Sequence, residues 1–167
     1  ESQTLYAAQN VCCGEHRVWN APNLWQSAAD DLHPKLTLSW EKTVSIREIR
    51  LYLDPDLLRE LPSSRTAHIE PSHVYEARCG MPEHLIKDMM VTAFDKQEVP
   101  FAVWNVKENI QRLLVLQLDK LQKISKLTVA IQSTWGQAEL RIFRISAYEQ
   151  CLTDGLKAEI LNGEREE

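Results

Sequence analysis

The residues with the most chemistry to offer are aromatic, amide and cationic: Trp19, Trp25, Trp104 and Trp135; Asn20, Asn23, Asn105 and Asn109; His16, Arg17, His84 and Arg112. An indole beside amides and a guanidinium is sugar-binding chemistry. A pyranose C–H face stacks on the ring while Asn and Arg fork onto neighbouring hydroxyls. Trp135 lies in Ser133-Thr134-Trp135-Gly136-Gln137, a turn in which Gly136 admits a positive φ and lets the indole project. The competing role for Trp135 is a ring folded onto the rim of the core. Asn105 and Asn109 bracket a second turn, where loop-capping hydrogen bonds are the plainer use of an amide. Arg112 and Arg141 suit a structural duty as well, tying loops to Asp or to carbonyls. Trp25 and Trp40 read as core residues. The expected ligand set is Trp135, His84, Asn109, Arg112, Trp19 and Asn105.

Other chemistries find less support. His68 and His73 stand in one loop with Cys79 and His84 beyond, a spacing wider than structural zinc prefers, so no metal is assigned. A Ca²⁺ site of loop carbonyls plus a carboxylate is the remaining option, and no Asp-rich loop signals it. No cofactor is expected. There is no Gly-x-Ser-x-Gly elbow and no phosphate-cradling glycine loop, and the chain has only 5 glycines. No catalytic residue is expected, and this chain alone is read as not an enzyme. Cys12, Cys13, Cys79 and Cys151 form no CxxC pair. Either all are reduced, which favours a cytoplasmic setting, or one of the adjacent pair bridges to Cys151.

The elements that must carry these residues are strands. Leu36–Glu41 alternates apolar and polar, and Val44–Asp54 follows a short Lys42-Thr43 turn. Its phase slips between Ile46 and Ile49, which a bulge explains. Further runs are Ile86–Asp95, Val99–Val106, Gln111–Asp119, Ile124–Thr134 and Glu139–Glu149. Short connections without intervening helices predict an antiparallel all-β sandwich. Residues 55–84 are too long for a plain hairpin loop, and Asp54-Pro55-Asp56 is placed to cap one helical turn through Leu57, Leu58 and Leu61. The division is a domain over 1–152 and a charged tail over 153–167.

At 167 residues with 44% hydrophobic and 26% charged side chains, the chain has the length and composition to bury a core of its own. A net charge of −5 argues against nucleic acid as a partner, since phosphate binding needs a basic face. No apolar run approaches the ~20 residues that span a bilayer, and no membrane partner is expected. Glu1-Ser2-Gln3-Thr4 begins no signal-peptide pattern, although a chain cut from a larger protein leaves the compartment open.

If successive strands run antiparallel, loops alternate between two ends. Turns at 42–43, 96–98 and 120–123 then share one end. The connections 15–34, 55–84, 105–110 and 133–138 share the other, which gathers the tryptophans, amides and cations. Loops clustered on a rigid sandwich are where recognition is usually carried.

Asn23-Leu24-Trp25-Gln26-Ser27, Leu36-Thr37-Leu38-Ser39-Trp40 and Val44-Ser45-Ile46-Arg47-Glu48-Ile49-Arg50-Leu51, in that order, resemble the discoidin or coagulation-factor type C domains of the galactose-binding-like fold. Met81–Asp88, Asn109–Leu113, Ala138–Phe143 and Ala147–Glu149 are similar to a narrower group, the C-terminal β-sandwich of bacterial FAD-dependent oxidoreductases. The resemblance runs over residues 9–149 and implies an eight-stranded jelly roll. In sugar-binding relatives such as family 32 carbohydrate-binding modules, it implies a ligand at the loop end, with Trp135 before the last strand and His84 and Arg112 on the same rim. Ala21-Pro22-Asn23-Leu24 stands where such domains often carry Asp-Gly-Asn for Ca²⁺. The factor-type disulfide would be imitated by Cys12 or Cys13 with Cys151. FAD itself would belong to a parent protein, because no Gly-x-Gly-x-x-Gly follows any strand here. The expected function is a non-catalytic carbohydrate-binding module within a larger bacterial protein, with a glycan as partner. The alternative is an accessory domain packing on a parent FAD-dependent enzyme domain.

Overall fold

The computed structural model describes residues 5–17, 23–28, 30–56, 81–136 and 139–152. Its strands are β1 (Trp25–Gln26), β2 (Lys35–Leu53), β3 (Ile86–Phe94), β4 (Pro100–Val106), β5 (Leu113–Thr134) and β6 (Arg141–Tyr148), preceded by a 3₁₀ turn at Ala8–Cys12. Every pairing is antiparallel, in the order β1-β6-β2-β5-β3-β4.

The two longest strands correct the sequence reading. The turns expected at 42–43 and 120–123 are absent. β2 runs unbroken over 19 residues and β5 over 22. Neither stretch contains the Gly, Pro or Asn that a tight reversal favours. The chain instead passes through them with register shifts between Ser39 and Val44 and between Ile46 and Glu48. The second shift falls where the phase slip in the sequence calls for a bulge.

These shifts let each long strand serve two layers. Residues 35–39 of β2 pair with 126–130 of β5, and that half of β5 pairs on with β3, which carries β4. Residues 48–52 pair with 113–117 and, on the other side, with β6, which carries β1. Two bent strands thus supply four segments, and the layers hold eight. One apolar cluster joins them: Ile49, Leu51, Leu53, Leu116, Ile142 and Ile145 from one layer, and Leu36, Met89, Val91, Leu127, Val129 and Ile131 from the other.

Trp25, Trp40, Trp104 and Trp135 pack against this cluster and are only partly buried. Trp40 keeps the inward phase of Leu36 and Leu38. However, it borders an open groove of about 560 Å³ at the bend of β2, with Val11, Cys12 and Val44. No disulfide joins Cys12, Cys13 and Cys151; the first two are exposed and the third is buried. Cys79, the helical turn expected through Leu61 and the tail over 153–167 lie outside the described residues.

Glu48 points to the side opposite Ile49 yet is fully buried. Its carboxylate accepts from Arg50 Nε at 2.5 Å, Gln117 Nε2 at 3.0 Å and the Leu152 backbone N–H at 2.8 Å. The Arg50 guanidinium lies 4.0 Å over the Tyr148 ring. Burial works to raise the Glu48 pKa, and the bonds from Leu152, Gln117 and Arg50 outweigh it, holding the carboxyl below its ordinary range. The segment after β6 is thereby pinned to the outside of the β2–β6 layer.

Two predictions follow from this packing. Glu48→Gln should cost ~3 kcal/mol or more at neutral pH, since it leaves Arg50 without its counter-charge. A group whose folded pKa is depressed contributes fully above its unfolded value, and the contribution is lost as pH falls through the folded one. Wild-type stability in urea should therefore drop below about pH 4.3, and the variant should show a smaller drop. Equal acid profiles would show that Glu48 is not the titrating group. Trp40→Ala should cost about 1–3 kcal/mol, less than a fully buried aromatic, and urea midpoints measure it.

Candidate functional site

One end of the sandwich is built from chain that crosses between the layers. The 107–112 connection carries β4 into β5, 135–140 carries β5 into β6, and 27–34 carries β1 into β2. Residues 81–85 lead into β3. Backbone bonds weld them together: Asn109 N to Lys87 O (2.9 Å), Trp135 N to Leu85 O (3.1 Å), Gly136 N to Glu83 O (3.1 Å) and Ser27 N to Leu140 O (3.0 Å). The loops grouped by hairpin parity do meet here, although the opposite end consists of two bent strands and one turn, at Asp95–Val99, rather than three turns.

Asn109 is the keystone of the end. Its Nδ2 donates to Ile86 O (2.9 Å) and Gln111 O (3.0 Å), and its Oδ1 accepts from Gln111 N (3.0 Å). It is buried, and its amide is spent within the fold. The preceding Glu108 adopts φ 49°, a left-handed conformation. Asp88 holds it there by accepting from Glu108 N at 3.0 Å, while its second oxygen accepts from Ser133 Oγ at 2.8 Å. The Glu108 and Ser133 bonds, with Lys107 and Lys87 nearby, lower the Asp88 pKa.

Trp135 is half-buried. Its indole N–H donates to Asn109 O at 2.8 Å, and Lys87 Nζ lies 4.6 Å from the ring centroid. One face is thus occupied by a cation, and the ring stands at the core rim rather than projecting. Gly136 has no positive φ; a Cβ there would meet Glu83 Cγ at 3.0 Å, so the glycine permits a close approach instead. His84 is half-buried beside it, its Nδ1 a long 3.4 Å from Glu139 O.

Arg112 follows Gln111 on the same connection. Its carbonyl accepts from Leu53 N (2.8 Å) and its Nη2 donates to His16 O (2.6 Å). Its Nε–H is buried without an acceptor. Arg141 meets Asp54 at 3.5 Å and Gln26 Oε1 at 3.0 Å, tying β1, β2 and β6. Of the expected ligand set, Trp135, His84, Asn109 and Arg112 come together. Asn105 is exposed near the end of β4, opposite Met90 of β3, and makes no side-chain hydrogen bond among the described residues. Trp19 lies outside the described residues.

The sequence reading missed Lys87, Tyr52 and Arg144. The phase of β2 carried a signal for Tyr52, since Leu51 and Leu53 inward turn Tyr52 outward. Lys87 over Trp135 depends on a contact between two strands and leaves no local trace. Among the described residues no group of three or more His, Cys, Asp or Glu is placed to hold a metal, and no helix is long and apolar enough to cross a membrane.

No protein-family model and no curated sequence matches the chain. Solved structures do. A Streptococcus pneumoniae fucose binding module is 9% identical with a TM-score of 0.62, over 88% of each chain. The family 32 carbohydrate-binding module of Streptococcus pneumoniae EndoD is 13% identical with a TM-score of 0.62, over 87% of this chain and 86% of that one. The family 32 module from C. perfringens NanJ, in complex with galactose, is 15% identical with a TM-score of 0.58, over 89% and 88%. The chain has the antiparallel β-sandwich fold of these modules.

Because its amide closes three bonds, Asn109→Ala should lower stability by about 1–3 kcal/mol, the cost of leaving buried partners unmet. Thermal or urea melts measure this, and an unchanged midpoint would show that the loop has an alternative closure.

Proposed function

We propose that the chain is a non-catalytic glycan-binding module that takes its sugar at the loop end. The observation that carries this reading is the Arg112 Nε–H, buried there without an acceptor. A donor left in that state costs free energy, and a ligand oxygen recovers it once the guanidinium turns outward to meet it. The half-buried rings of Trp135 and His84, and Ile110 and Leu32, 68% and 82% exposed on neighbouring connections, add apolar surface for a pyranose face. In this reading His84 and Arg112 contact hydroxyls, Trp135 offers the ring edge left open by Lys87, and Asn109 holds the loops. Family 32 modules sharing the fold, one of them in complex with galactose, support it further.

A second reading draws on the closure of Asn109 and the cover over Trp135. A loop end satisfied by its own bonds suits an accessory domain that packs on a parent FAD-dependent enzyme and binds no free sugar. A glycan array followed by calorimetry separates the two. We expect a ligand with Kd near 10⁻⁴–10⁻³ M, roughly −4 to −5.5 kcal/mol, as for sites that desolvate few groups. Arg112→Gln should weaken it at least about tenfold, which is ~1.4 kcal/mol, with the fold intact by circular dichroism. Absence of any glycan binding by the wild type would leave the accessory reading.

A further inference from the structure

We propose that the sugar bound at the loop end carries a carboxylate, and that Arg112 and Arg144 hold it beside the rings of Tyr52 and His16. The inference deepens the glycan reading and rests on it. Tyr52 turns away from the core on β2. Its partner across β6 is Arg144, and its partner across β5 is Leu113, which Arg112 immediately precedes. The Arg144 guanidinium lies 5.8 Å from the Tyr52 ring centroid, and the His16 ring lies 5.3 Å from it on a tilt of 41°. One guanidinium thus stands over the ring, and a second, at the start of the neighbouring strand, holds the segment that carries His16.

Among the described residues their side-chain partners are all neutral. Arg112 donates to His16 O at 2.6 Å. Arg144 donates to Gly14 O at 2.7 Å and to Ser146 Oγ at 2.6 Å. Other arginines of the same layer differ: Arg50 has Glu48 at 2.5 Å, and Arg141 has Asp54 at 3.5 Å. Glu15, between Gly14 and His16, is exposed and forms no ion pair with either guanidinium. In a chain of net charge −5, two part-buried guanidiniums without a carboxylate are a local arrangement and not a result of composition.

The two positive charges select among anions and neutral ligands. A sugar hydroxyl would accept a hydrogen bond but leave both charges uncompensated. A carboxylate accepts in the planar, two-pronged geometry that a guanidinium presents, through bonds roughly twice as strong as neutral ones. Arg144 is part-buried beside Tyr52, which strengthens that pairing over its value in open water.

The test uses the whole chain on an array of neutral, uronate-bearing, sialylated and sulfated glycans. Calorimetry then compares a carboxylate-bearing oligosaccharide from that array with its methyl ester, identical apart from the charge. The acid should bind at least about tenfold more tightly than the ester at low ionic strength, and added salt should erode that advantage. Arg144→Gln should shrink the acid's advantage over the ester to less than about threefold, and Arg112→Gln should weaken both. Equal binding of acid and ester, or binding of sulfated glycans alone, overturns the carboxylate while leaving the glycan reading intact. Silence across the whole array overturns the glycan reading itself. The acid–ester comparison on the wild type does not depend on any variant folding.

Discussion

The pairing of β2 with β5 is the constraint on which the rest depends. These strands pair over most of their length, from Lys35↔Ala130 to Tyr52↔Leu113, and they pass from one layer to the other at the same two register shifts. β3 and β4 add to one half of the pair, and β6 and β1 to the other. The sandwich is therefore a single sheet bent through its central strands. Its two faces share one core because Leu36 and Leu53 sit at opposite ends of a single strand. The price of this arrangement is that four connections must cross from layer to layer at the far end, and those crossings form the candidate site.

The bend also explains where polar groups are buried. At Glu48, next to the second shift, the backbone is offset and a carboxylate is enclosed on the outer side. It persists because three donors reach it, one from β2 itself, one from β5 and one from the chain after β6. A buried carboxylate with this set of partners locks register, since a slip of one residue would carry it to the core face. The segment that leaves β6 is thus coupled to the same strand that organises the layers.

At the loop end the fold spends most of its polar groups on itself. Asn109, Asp88 and Ser27 satisfy neighbouring backbone, and the Trp135 N–H joins the same network. Beyond that network stand cations and rings, Arg112, Arg144, Lys87, Tyr52, His16 and His84, together with the exposed acids Asp30, Asp31 and Glu108. Under the proposed glycan reading the cations and rings, and not the bonded network, would meet the sugar, because a group already hydrogen-bonded within a buried network loses about as much by rearranging as a ligand would return.

The sequence by itself determined the strands and their phases. Alternation at Ile49, Leu51 and Leu53, and at Leu127, Val129 and Ile131, follows from each residue's own solubility, and the slip before Ile49 marked the bulge. It also determined that Trp135, His84, Asn109 and Arg112 lie on connections that meet. Only the tertiary structure decided that 42–43 and 120–123 are bends and not turns, because a strand continues or reverses according to what pairs with it. It likewise decided that Trp40 borders a groove and that Asn109 closes a loop. Above all it decided that Arg112 and Arg144 meet no carboxylate among the described residues while Arg141 meets Asp54. Charge pairing is a property of distance, and residues separated by tens of positions acquire a distance only when the sheet folds over.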